Sequence, residues 1–185
     1  MSSIKVRLWT VDEYHRMIEQ DILTSDDKVE LLEGQIIHMS PQRPPHAATT
    51  QCASDYLRDL LSGRATVRVQ LPITLPPNSE PEPDIAVVRI DAREYFDRHP
   101  AADDIFLLVE VAKTTLKQDR TVKAPVYARA NIPEYWVLDV QQRQLYVFRQ
   151  PQAETYQQEI ILNQDATISP IAFPDIDVAV NQLFP

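Results

Sequence analysis

The segment Phe106-Leu107-Leu108-Val109-Glu110-Val111 restricts the fold more than any other stretch of this chain. A run so short and so nearly continuous in apolar residues reads as a strand covered on both faces, not as an alternating surface strand. Thr114 or Thr115 can cap a helix that runs to about Arg129, where Asn131 and Pro133 end it. A second strand follows over residues 135–140. Strand, helix and strand in that order predict a right-handed crossover between parallel neighbours.

The remaining elements fall around this unit. Thr10 followed by Glu13 forms a capping box ahead of Tyr14, Met17 and Ile18 and predicts a helix over 11–20. Apolar residues on both sides of Glu33-Gly34 predict a hairpin with strands near 28–32 and 35–39, which places Glu30 on its first strand. Pro44-Pro45 opens a second helix, and Ala47, Ala48, Cys52, Tyr56, Leu57, Leu60 and Leu61 carry its spacing to Ser62-Gly63. Strands are predicted at 66–75, 85–90, 145–149 and 156–162, with an irregular tail containing Pro170, Pro174 and Leu183-Phe184. The order describes an α/β or α+β arrangement on a mixed sheet. At 185 residues, with no repeat or low-complexity linker, it predicts a single domain over 1–185.

Composition narrows the function classes. With one cysteine, Cys52, neither an internal disulfide nor a cysteine-rich zinc site is possible, and Cys52 is expected to be a small buried apolar residue. The start Met1-Ser2-Ser3-Ile4-Lys5 shows no secretory pattern and no apolar run is long enough to span a bilayer, so a cytoplasmic protein without a membrane segment is expected. Two glycines beside fifteen prolines exclude glycine-rich phosphate loops and leave turns to Pro, Asn and Asp. A net charge of -9 argues against coating nucleic acid unspecifically. The charge is uneven, however: Lys113, Lys117, Arg120, Lys123 and Arg129 against Asp119 make that stretch +4 and leave -13 for the rest.

Several residues break the local pattern. Glu110 would be costly to bury without a positive partner, either a metal ion or a structural ion pair. Asp84, between Pro83 and the apolar strand, suits a strand-entrance ligand or an ordinary turn-former. At roughly 100° per residue, Leu116, Lys123, Tyr127 and Ala130 share one stripe, so Lys123 points inward. It then meets a buried acid, snorkels outward, or pairs locally with Asp119. Lys113, Lys117 and Arg120 form a neighbouring stripe that is a solvated face or a track for a phosphate backbone. Pro125 should kink this helix. His38 and His46 have no partner at metal-ligand spacing and are read as structural or surface residues.

Val29-Glu30-Leu31-Leu32-Glu33-Gly34, Pro81-Glu82-Pro83-Asp84-Ile85-Ala86-Val87-Val88, Leu108-Val109-Glu110-Val111, Asp119-Arg120-x-x-Lys123 and Tyr127-Ala128-Arg129-Ala130-x-Ile132-Pro133-Glu134-Tyr135-Trp136 together resemble the Uma-type restriction endonuclease family, a branch of the PD-(D/E)XK nuclease superfamily. The likeness runs from about Thr10 to Phe184. It implies a restriction-endonuclease-like core with flanking helices and extra β-strands. It implies that Asp84 and Glu110 hold Mg²⁺, with Mn²⁺ as a substitute, and that Glu30 matches the acid of the early hairpin. The superfamily lysine two residues after Glu110 is here Ala112, and Lys123 matches the helix lysine that takes its place in relatives of this type.

These expectations make the chain a Mg²⁺-dependent endonuclease acting on DNA, with catalytic Glu30, Asp84, Glu110 and Lys123, nucleic-acid contacts from Lys113, Lys117 and Arg120, and a homodimeric state. The competing readings are a catalytically silent nucleic-acid-binding or interaction protein that keeps the fold, and a phosphodiesterase acting on RNA or a small nucleotide.

Overall fold

The computed structural model describes residues 5–185; Met1 to Ile4, the head of the segment without a secretory pattern, lie outside the described residues. Helix α1 (Val11–Glu19) starts at the Thr10–Glu13 capping box, with both reciprocal hydrogen bonds formed. The hairpin β1 (Val29–Leu32) and β2 (Gln35–His38) turns on Glu33 and Gly34, both at positive φ. That is the mirror-image turn whose twist suits a two-residue hairpin. Gly34 also meets a steric demand, since a Cβ there would stand 2.7 Å from Leu8 Cβ.

Helix α2 (Pro44–Leu60) precedes a six-stranded mixed sheet in the order β3 (Thr66–Val69), β4 (Ile85–Val88), β5 (Ile105–Ala112), β6 (Glu134–Asp139), β7 (Gln144–Gln152) and β8 (Thr155–Leu162). Only β5 and β6 run parallel; every other neighbouring pair is antiparallel. The segment between β5 and β6 is helical, as the strand-helix-strand pattern requires. It is made of α3 (Leu116–Gln118), a π-helical stretch (Asp119–Lys123) and α4 (Ala124–Arg129). Pro125 lacks a backbone donor, and the wider turn just before it absorbs the mismatch where a kink was predicted.

Because side chains alternate along a strand, β5 feeds two cores. Leu107, Val109 and Val111 pack with Trp136 and Leu138 against Ala53, Leu57 and Leu61 of α2 and against Phe173, Val178 and Leu183 of the tail. Leu57 is fully buried there, and its truncation to Ala should cost about 2–5 kcal/mol. Leu108 and Ala112 face the other way, against Ala124, Tyr127, Tyr135 and Val137. Glu110 shares their parity and so enters the second core.

Four expectations change. Strand β3 stops at Val69, not near residue 75, because Gln70 turns at φ 51 and leaves Leu71 exposed. The tail is less irregular than its prolines suggest: β9 (Thr167–Ile168) pairs with β10 (Val178–Ala179), and a 3₁₀ turn (Val180–Leu183) closes it over α2. Turn residues are not mainly Asn and Asp either. Among the non-glycine residues at positive φ, Asp21 and Asn131 fit the rule, whereas Glu33, Gln70, Glu94, Tyr95, Arg143, Gln150 and Ala153 do not. Cys52 is only half-buried, its thiol directed at the Gln182 carbonyl.

Candidate active site

The parity of β5 sends Glu110 into the space between the sheet and the π-helical stretch, where it is 3% exposed. Its Oε1 accepts from the Lys123 ammonium at 2.8 Å and from the Tyr127 hydroxyl at 2.9 Å. Ala112, two residues on and facing the same way, is fully buried in the same cluster. A lysine at 112 would have to fit into that packing; the helical segment instead delivers Lys123 from above. Lys123 pairs with Glu110 and not locally with Asp119, which decides between the readings that the sequence left open.

Asp84 precedes β4 and lies beside Glu110, whose Oε2 accepts from the Asp84 backbone N–H at 3.4 Å. The Asp84 side chain is fixed from three directions. Its Oδ2 accepts from Val111 N–H at 2.8 Å and meets His46 Nε2 at 3.1 Å, while its Oδ1 accepts from the Gln70 amide at 3.2 Å. Glu30 of β1 stands opposite: Oε2 accepts from Glu82 N–H at 3.1 Å, and Oε1 lies 3.9 Å from the Lys123 ammonium. Glu30, Asp84, Glu110 and Lys123 are thus brought together from four separate elements.

His46 corrects the reading of that residue as structural or surface, since α2 carries its ring to Asp84 across 38 residues of sequence. Gln70, Tyr127 and Asp119 were also missed as neighbours of the cluster. Tyr127 left a signal in its place on the Lys123 stripe and Asp119 in its spacing from Lys123, whereas Gln70 left none. The basic stripe is less uniform than predicted. Lys113 lies before the helical segment, and Lys117 is exposed. Arg120 bonds Glu159 at 2.6 Å and covers the Tyr146 ring, so its guanidinium is already engaged. Lys117 and Arg120 border a hollow of about 320 Å³ with Leu116 and Phe148.

The electrostatics follow from burial. Desolvation pushes the Glu110 carboxyl up to about 8, with the Lys123 ammonium pulling the other way. Burial opposes the charge on Lys123, but Glu110, Glu30 and Asp119 overcome it and hold the ammonium protonated. Burial alone would raise Asp84; the His46 hydrogen bond and charge and the Val111 N–H keep it below the ordinary range. His46 is raised in turn by its bond to Asp84. Burial raises Asp119 and Glu82. Four carboxylates, Glu30, Asp84, Glu110 and Asp119, therefore face one lysine and one histidine.

That surplus suits a hard cation. Among the described residues no three His, Cys, Asp or Glu side chains converge as a ready-made cage. Mg²⁺ does not need one, because it binds through one or two carboxylates and keeps water and phosphate oxygens in its shell. The adjacent Asp84 and Glu110 are the pair able to hold it.

The model of the Uma2 family, described as "Putative restriction endonuclease", matches residues 11–181. The chain belongs to the Uma2 family. No curated protein matches it. A solved structure from Anabaena variabilis, described as "a putative nuclease belonging to DUF820", superimposes with a TM-score of 0.74 over 95% of this chain and 97% of that one, at 18% identity. At that identity the likeness speaks for the fold, which is the restriction-endonuclease-like fold that Uma2 membership implies. The family is one of restriction-endonuclease-like nucleases. No helix among the described residues is long and apolar enough to cross a membrane.

Proposed function

We propose that this Uma2 chain is a Mg²⁺-dependent endonuclease that hydrolyses phosphodiester bonds in DNA, with Mn²⁺ able to replace Mg²⁺. The observation that carries the proposal is the excess of buried carboxylate around Asp84 and Glu110, with Lys123 in direct contact. Asp84 and Glu110 are the residues that would hold the ion. A bound divalent cation lowers the pKa of an attacking water and offsets the charge that grows on the scissile phosphate.

The protein's own groups do the rest. Lys123 is held protonated, so it cannot take a proton from water; it donates a hydrogen bond to the water or to a phosphate oxygen and shares the developing charge. Glu30, whose Oε1 lies 3.9 Å from the Lys123 ammonium, helps to position it. Val111 N–H, Gln70 and His46 fix the Asp84 carboxylate before substrate arrives. Lys113 and Lys117 supply positive charge for the phosphate backbone beside an otherwise acidic chain, and Arg120 joins them by exchanging Glu159 for a phosphate. A homodimer suits the activity, since cutting two strands is simplest with two related sites.

Plasmid cleavage in Mg²⁺ or Mn²⁺ tests the proposal, with Asp84→Ala and Glu110→Ala as controls. The wild type should nick and linearise DNA and both variants should not. Equal activity in all three rules the mechanism out. One feature favours a silent protein that keeps the fold: the Lys123 ammonium already neutralises part of the charge that a cation would meet. A silent protein should then give no heat on titration with Mn²⁺.

A further inference from the structure

Asp119 carries the one carboxylate oxygen among the described residues that is fully buried without a hydrogen-bond partner. Its side chain is 5% exposed, and Oδ2 is buried without a hydrogen-bond partner. Buried carboxylate oxygens are rarely left that way unless a water, an ion or a ligand belongs there. The surroundings explain why it does not simply turn elsewhere. Its backbone N–H donates to the Thr115 carbonyl at 2.9 Å, which fixes the start of the turn. The Asp119 backbone carbonyl accepts from the Tyr135 hydroxyl at 3.3 Å and from Ala124 N–H across the wide turn. The π-helical stretch buries two of its side chains, Asp119 and Lys123, and Lys123 is the one that reaches Glu110. π-Helical turns inside α-helical segments recur at functional sites.

The local pairing that the sequence left open does not occupy Asp119, because the Lys123 ammonium goes to Glu110 and lies 3.9 Å from Glu30. The Asp119 charge is nevertheless felt at Glu110, His46 and Lys123. A carboxylate placed this way favours the Lys123 ammonium but adds to the negative charge that Glu110 meets. We infer that Asp119 is a third carboxylate of the cation site, its free Oδ2 accepting a hydrogen bond from a water in the shell of a divalent ion carried by Asp84 and Glu110. The inference rests on the nuclease reading above. It agrees with the tendency of Mg²⁺ to keep several waters, which need acceptors.

The test is calorimetric titration of Mn²⁺ into the full chain, paired with thermal unfolding of the metal-free protein. Wild type, Asp119→Asn, Asp119→Ser and Asp84→Asn are compared. Both Asp119 variants should bind Mn²⁺ about 10–100-fold more weakly, the range found when outer ligands of a metal are removed. Without metal, Asp119→Asn should melt about 2–4 °C higher, because a buried, unpartnered anion has been neutralised. A merely structural aspartate would give the opposite sign on unfolding. Wild-type affinity in both Asp119 variants, or a lower metal-free melting temperature for Asp119→Asn, overturns the inference. If Asp84→Asn loses Mn²⁺ while the Asp119 variants keep it, this inference fails and the nuclease reading stands. If the wild type itself binds no Mn²⁺, both fail.

Discussion

Two glutamates are buried on neighbouring parallel strands, and they face opposite sides of the sheet. Glu134 of β6, fully buried, is completely provided for. Its Oε1 accepts from Trp136 Nε1 at 2.9 Å and from Arg149 Nε and Nη2 at 2.8 and 2.6 Å, and its Oε2 accepts from Ile171 N–H at 2.7 Å. Glu110 of β5 has one cation, shared with Glu30, and its Oε2 has only a long bond to Asp84 N–H. A buried acid is therefore no marker of function by itself. The marker is a buried acid whose neighbours are more acids.

The two sites should respond to mutation in opposite ways. The largest effect belongs to Glu134→Ala, which strands the Arg149 guanidinium and should cost about 3–5 kcal/mol in urea unfolding. Glu110→Gln, by contrast, should leave the metal-free protein as stable or more so; a loss as large as that of Glu134→Ala would erase the distinction. Next comes Lys123→Met, for which Mg²⁺-dependent plasmid cleavage should fall about 10²–10³-fold, as when one donor to a developing oxyanion is removed. Unchanged cleavage rates in that variant would remove Lys123 from the mechanism.

Smaller effects sharpen the contrast. His46→Ala loosens the Asp84 carboxylate and should weaken Mn²⁺ binding about tenfold in a calorimetric titration, in line with other outer partners of metal ligands. Affinity equal to wild type would make His46 a packing residue. The pH response is the smallest. Glu110 sits near 8 in the folded protein against an ordinary 4.5, so the native state holds a proton that the unfolded chain has released. Stability of the metal-free protein from this group is therefore greatest below about pH 4.5 and declines as pH rises toward 8. Glu110→Gln should flatten that decline in melting curves recorded from pH 5 to 8; an identical slope would contradict the assignment.

Much of this arrangement was legible in the residues. The 106–111 run announced the central strand and set Glu110 inside it, and helical projection turned Lys123 inward before any contact was known. These are local signals, carried by the period of a strand or helix. What was not legible depended on contacts between distant segments. His46 reaches Asp84 from another helix, and Gln70 reaches it only because a positive φ ends β3 early. No local pattern distinguishes Glu134, closed by an arginine from β7, from Glu110, left open. The isolation of Asp119 depended on the same thing, since the sequence left its pairing with Lys123 open beside a buried acid for that lysine.

The most direct measurement is an anomalous difference map from a crystal soaked in Mn²⁺. The account predicts a peak between the carboxylates of Asp84 and Glu110, with the Lys123 ammonium beside it, and no peak at Glu134. A soaked crystal with no peak at Asp84 and Glu110, or with the ion bound elsewhere on the protein, would contradict it.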